Sequence, residues 1–92
     1  MISFTSEQRY YIYPGPMDMR KDIDGLAGVV RNDMQLDPTR RNGVFIFLSK
    51  KRNIMKILTR GLDRFELLKI RLDKDKFLGP INDEESQSVR LT

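Results

Sequence analysis

Apolar and polar positions change period several times along these 92 residues, and each change predicts an element. Arg9-Tyr10-Tyr11-Ile12-Tyr13 is rich in strand formers and is followed by Pro14-Gly15-Pro16, which predicts a first strand that ends at the prolines. Ile23, Leu26, Ala27, Val30 and Met34 then recur at helical spacing. With Asp18 as the expected N-cap, they predict a helix from about Met19 to Asp33 whose apolar face packs on a sheet. Asp37-Pro38-Thr39-Arg40-Arg41-Asn42-Gly43 reads as a turn-rich loop. Val44-Phe45-Ile46-Phe47-Leu48 is a continuous apolar run, as expected of a strand covered on both faces. Lys50 to Asn53 is polar and basic before the apolar pattern resumes at Ile54 to Thr59, so these two strands should form a hairpin with a charged tip. For residues 64–72 the pattern leaves two readings open, because Leu62, Phe65, Leu68 and Leu72 also fit a helix face.

The ends are more polar. Met1 to Gln8 is a short lead-in, Asp73 to Lys76 is polar, Gly79-Pro80 breaks the chain, and Ile81 to Ser88 is acidic and expected to be flexible. The expected fold class is α+β, with one helix packed on a mainly antiparallel sheet of about four strands. Residues 1–78 would form the single domain and residues 79–92 a flexible acidic C-terminal segment. Should the second face of Val44 to Leu48 lack a cover, either Phe45 and Phe47 or Val44, Ile46 and Leu48 would be exposed, and self-association would follow.

Composition narrows the chemistry. Cysteine and histidine are both absent, which removes disulfides, thiolate chemistry and the commonest metal ligand. No metal and no cofactor is expected. No run approaches the ~18 apolar residues of a membrane span, and the N-terminus lacks the pattern of a secretory leader, so a cytoplasmic protein is expected. The net charge of +4 conceals an asymmetry. Arg40 to Lys76 holds twelve Lys/Arg against four acids, while the rest of the chain holds five against nine. A basic block of this kind suits a polyanion partner, although a solvated, solubilising hairpin explains the same composition.

The stretch from Gly15 to Ala27 combines turn, cap and helix signals more tightly than generic sequence does, and it resembles the TnpB (Orf2) accessory proteins of the bacterial insertion sequence sixty-six family. Three further blocks agree in order and spacing. These are Asp37-Pro38 with Gly43-Val44-Phe45-Ile46-Phe47, the basic hairpin Lys50-Lys51-Arg52-Asn53-Ile54-Met55-Lys56-Ile57-Leu58, and Phe65-Glu66-Leu67 with Arg71-Leu72 and Phe77. Departures concentrate after Leu58, at Thr59, Arg60, Gly61, Arg64 and Ile70. The resemblance implies a strand at 64–72. It also implies a chain that stops short of the family's last apolar segment, and a non-enzymatic role beside a separately encoded transposase.

Candidate residues follow from both readings. Lys50, Lys51 and Arg52 at the hairpin tip, with Arg40, Arg41 and Arg60 nearby in sequence, form the candidate surface for DNA phosphates or for an acidic face of a partner. Arg20 and Lys21 oppose the helix dipole, so they could meet a phosphate there; a salt bridge with Asp24 or another acid is the alternative. Asp18, Asp22 and Asp24 would be Mg²⁺ ligands only in a nuclease, and their placement on different faces favours cap and surface roles. Tyr10, Tyr11 and Tyr13 fit core packing better than a base-stacking platform, since only Arg9 adjoins them. Gly25 is expected to let Tyr11 or Phe45 approach the helix. The expected partners are thus a transposase and DNA, with a pure protein-interaction subunit as the alternative.

Overall fold

The computed structural model describes residues 8–77. The predicted break at Gly79-Pro80, the acidic stretch beyond it and the first seven residues of the lead-in lie outside the described residues. Four strands and one helix follow in the order β1 (Arg9–Pro16), α1 (Ile23–Asn32), β2 (Gly43–Leu48), β3 (Ile54–Arg60) and β4 (Phe65–Arg71). The strand at 64–72 implied by the resemblance is present as β4. Among the described residues, no helix is long and apolar enough to cross a membrane.

The sheet order is β1-β2-β3-β4. β2 and β3 pair antiparallel, as do β3 and β4. β1 and β2 are parallel, with Arg9 opposite Gly43 and Tyr11 opposite Phe45. The sheet is therefore mixed. A helix between two neighbouring strands returns the chain to the end where the first strand began, so the second must run the same way; the short connections after β2 and β3 allow only reversal.

Pro14-Gly15-Pro16 does not end β1. The strand continues to Pro16 through a register shift, since Ile12 faces Ile46 but Pro16 faces Leu48. Four steps on β1 thus oppose two on β2, a bulge that an edge strand tolerates because prolines there forfeit few ladder bonds. The Met17 N–H still reaches the Leu48 carbonyl at 2.9 Å.

Both faces of β2 are buried, as the continuous apolar run predicts. On one face Phe45 and Phe47 join Leu58 beneath Leu26, Ala27, Val29 and Val30 of α1. Tyr11 stacks on Phe45 with centroids 5.4 Å apart, and Tyr13 lies 6.1 Å from Phe47. On the other face Val44, Ile46 and Leu48 pack with Met55, Ile57 and Phe77. None of the five β2 side chains is exposed, so the argument for self-association from an uncovered strand loses its basis.

The helix begins later than expected. Its N-cap is Asp22, in extended conformation and without a side-chain cap bond. Asp18 is not the cap because its carboxylate is taken: Oδ1 accepts the Arg20 backbone N–H at 2.9 Å, and the guanidinium of Arg20 donates to both oxygens. This bonding closes a turn over Asp18 to Lys21, completed by the Lys21 N–H on the Asp18 carbonyl at 3.2 Å. The chain leaves the helix through Gln35 in the left-handed region, φ 56°.

Candidate functional site

The hairpin tip is a closed structure. The Arg52 N–H donates to the Ser49 carbonyl at 2.9 Å, and Ser49 and Ile54 pair below it, with the Ser49 hydroxyl accepting the Ile54 N–H at 3.1 Å. Arg52 sits in the left-handed region with φ 58°. Lys50, Lys51 and Arg52 are all exposed. Beside them lies a recess of about 190 Å³ between the β1 bulge and the tip, walled by Pro14, Gly15, Pro16, Ser49, Lys50 and Arg52.

A segment distant in sequence wraps this tip. The Leu72 N–H donates to the Asn53 carbonyl at 2.8 Å, and the Phe77 N–H donates to the Arg52 carbonyl at 2.7 Å. Arg71, opposite Ile54 in the ladder, and Lys74 and Lys76 in the wrapping segment are exposed beside the tip. Sequence reasoning counted these three in the basic block without assigning them to the site. The signal available was the hairpin register, which places the end of β4 against the start of β3.

Arg40, Arg41 and Arg60 do not join them. Arg40 and Arg41 precede β2, and Arg60 ends β3, so they lie at the opposite end of the sheet, one strand length or roughly 20 Å away. Arg60 holds its guanidinium 4.7 Å over the Phe65 ring and is only partly exposed. Nearness in sequence misled here because a strand carries its two ends apart.

Arg20 pairs with Asp18 at 2.7 Å rather than with Asp24, and both side chains face solvent. The side-chain hydrogen bond from Arg20, reinforced by its backbone N–H, holds the Asp18 carboxyl well below the usual carboxylate range. Lys21 lies along the first turn, where a Cβ on Gly25 would meet its own Cβ at 3.3 Å. Gly25 therefore accommodates Lys21 and not Tyr11 or Phe45. An open groove of about 510 Å³ runs past this turn, lined by Pro16, Asp18, Asp24, Gly28 and Asp33 among others. Among the described residues no cluster of three or more acids could hold a metal ion.

Lys56, counted in the basic block, belongs to the interior. It is 5% exposed, and its Nζ donates to the carbonyls of Met19 and Lys21 at 2.8 Å each. Of the tyrosines, Tyr11 and Tyr13 are engaged by Phe45 and Phe47, and Tyr10 is half exposed on β1.

The family model described as IS66 Orf2 like protein matches residues 8–92. The chain belongs to this family. The match spans every element of the fold, including the Asp18–Lys21 turn, the tip and the segment that wraps it. No curated protein and no solved structure matches the chain.

Proposed function

We propose that this IS66 Orf2-like chain is a non-enzymatic accessory protein of insertion-sequence transposition, assisting a separately encoded transposase in the cytoplasm through a basic surface that contacts DNA phosphates. Family membership supports the setting. One observation carries the mechanism: three consecutive cations stand exposed on a tip whose backbone is fixed by hydrogen bonds, so the charges are presented at little ordering cost. Arg40, Arg41 and Arg60 at the far end of the sheet, and Arg20 and Lys21 by the helix, are secondary contact candidates.

The test is salt-titrated binding of the full chain to DNA, with and without the transposase of the same element. A Lys50→Ala/Lys51→Ala/Arg52→Ala variant should keep its melting temperature, lose affinity and lower the salt slope by up to ~3. Unchanged binding would move the contact to Arg20 and Lys21. The open groove beside α1, lined by Lys21 as well as Asp24 and Asp33, favours a second reading, a protein-interaction subunit without nucleic-acid contact. That reading gains if no DNA binds at low salt while capture of the transposase persists.

A further inference from the structure

Among the described residues, the cations at the tip are not three but six. Arg71 is placed there by its pairing with Ile54. Lys74 and Lys76 are placed there because the segment carrying them is tied at both ends: at Leu72 to the Asn53 carbonyl, and at Phe77 to the Arg52 carbonyl. Phe77 is also 5% exposed, sunk among Val44, Ile46 and Met55 on the second face of the sheet, so the tie is anchored by burial as well as by a hydrogen bond. All six basic side chains are exposed. Among the described residues, Asp73 and Asp75 dilute this surface without reversing it, since six exposed cations stand beside these two acids.

We infer that Lys50, Lys51, Arg52, Arg71, Lys74 and Lys76 form one composite surface that takes the phosphate backbone of double-stranded nucleic acid. The inference rests on the DNA-contacting reading above and deepens it. One observation and one general property of nucleic acids select a duplex. Proteins that hold single strands do so by stacking bases on exposed aromatic rings. Here Tyr11 and Tyr13 are occupied by Phe45 and Phe47, and Phe77, whose N–H bonds the tip, is buried. Tyr10, half exposed, pairs with Val44 at the end of β2 remote from the tip. Among the described residues, the surface therefore offers charge without a stacking platform. Charge of this kind reads backbone rather than sequence, and a duplex presents about one phosphate charge per 1.7 Å of its axis, denser than a single strand does.

The experiment uses the full chain, with a duplex and a single strand of equal length as probes, each titrated with salt. The wild type should prefer the duplex, and an Arg71→Ala/Lys74→Ala/Lys76→Ala variant, with the tip intact, should lower its salt slope by ~3 and weaken binding to all sequences alike. An Arg71→Lys/Lys74→Arg/Lys76→Arg variant should restore binding, which separates charge from fold. If the alanine variant binds as the wild type does while the tip variant fails, the composite surface is wrong and the DNA-contacting reading stands. Preference for the single strand overturns the duplex assignment. Absence of binding to either probe overturns both readings together.

Discussion

The ammonium of Lys56, buried on the central strand β3, donates a 2.8 Å hydrogen bond to the backbone carbonyl of Lys21, in the segment that leads into α1. A second bond of equal length reaches Met19, so one side chain fastens the turn closed by Asp18 and Arg20 to the sheet. Hydrogen bonds to charged donors contribute about 1.5–3 kcal/mol, while relief of the buried charge in a Lys56→Met variant offsets part of their loss. The expected net effect is a destabilisation of about 1–2 kcal/mol. Amide exchange at residues 19–22 should accelerate at least tenfold relative to β2, and protection unchanged there would show that Lys56 is not the fastening.

The route by which Lys56 became interior explains much of what the sequence withheld. Ile54, Lys56 and Leu58 alternate along β3, and a polar residue in that row reads as a half-solvated face. Only the distant loop over it, supplying carbonyls, makes the site habitable for an ammonium. The parallel pairing of β1 with β2 and the wrapping of the tip by Leu72 to Phe77 are likewise long-range facts, invisible to any local period. Asp18 was misread for a different reason. The neighbouring Arg20 engaged the Asp18 carboxylate, and the helix begins four residues later at Asp22. What was legible is what local pattern decides: the doubly buried β2, the hairpin with its basic tip, and the packing of Tyr11 and Tyr13.

Two glycines should respond oppositely to alanine. A Cβ at Gly28 meets nothing within 4 Å, and the residue lies inside α1, so Gly28→Ala should gain about 1 kcal/mol from helix propensity. That corresponds to a rise of roughly 4–8 °C in melting temperature. A Cβ at Gly43 would meet two ring atoms of Phe45 at 2.9 Å. That ring is 1% exposed and stacked on Tyr11, so it cannot swing aside, and Gly43→Ala should cost about 1–3 kcal/mol. Thermal melts of the two variants check both signs, and a neutral Gly43→Ala would contradict this packing.

Two carboxyls set an acid-side pH dependence. Asp37 is held below its ordinary value first by the Thr39 hydroxyl at 2.6 Å and then by the Thr39 N–H at 2.9 Å. Asp18 is depressed in the same direction by Arg20. Folding lowers both, so the unfolded chain binds more protons just below the ordinary carboxylate value of about 3.9. Their stabilisation is complete above that value and is lost as pH falls through the folded ones. Carboxyl titration by NMR should find both below the ordinary value, and Thr39→Ala should return Asp37 toward it while leaving Asp18 unmoved. An Asp37 that titrates normally in the wild type would remove the argument.

Arg52 combines a charge at the tip with a backbone conformation unfavourable to any residue bearing a Cβ, and the two can be separated. A left-handed φ costs a non-glycine residue roughly 1–2 kcal/mol, which glycine avoids, although its freer unfolded chain takes back part of the gain. Arg52→Gly should therefore raise stability by up to about 1 kcal/mol, whereas Arg52→Ala, which keeps the strain, should not. Both variants remove the same cation, so both should lower the salt slope of DNA binding by ~1. The backbone bonds from Arg52 to Ser49 and from Phe77 to Arg52 survive either change. A melting temperature that falls in Arg52→Gly would mean that the arginine side chain, and not only its backbone, holds the tip together. Equal salt slopes in wild type and both variants would remove Arg52 from the phosphate surface while leaving the conformational argument intact.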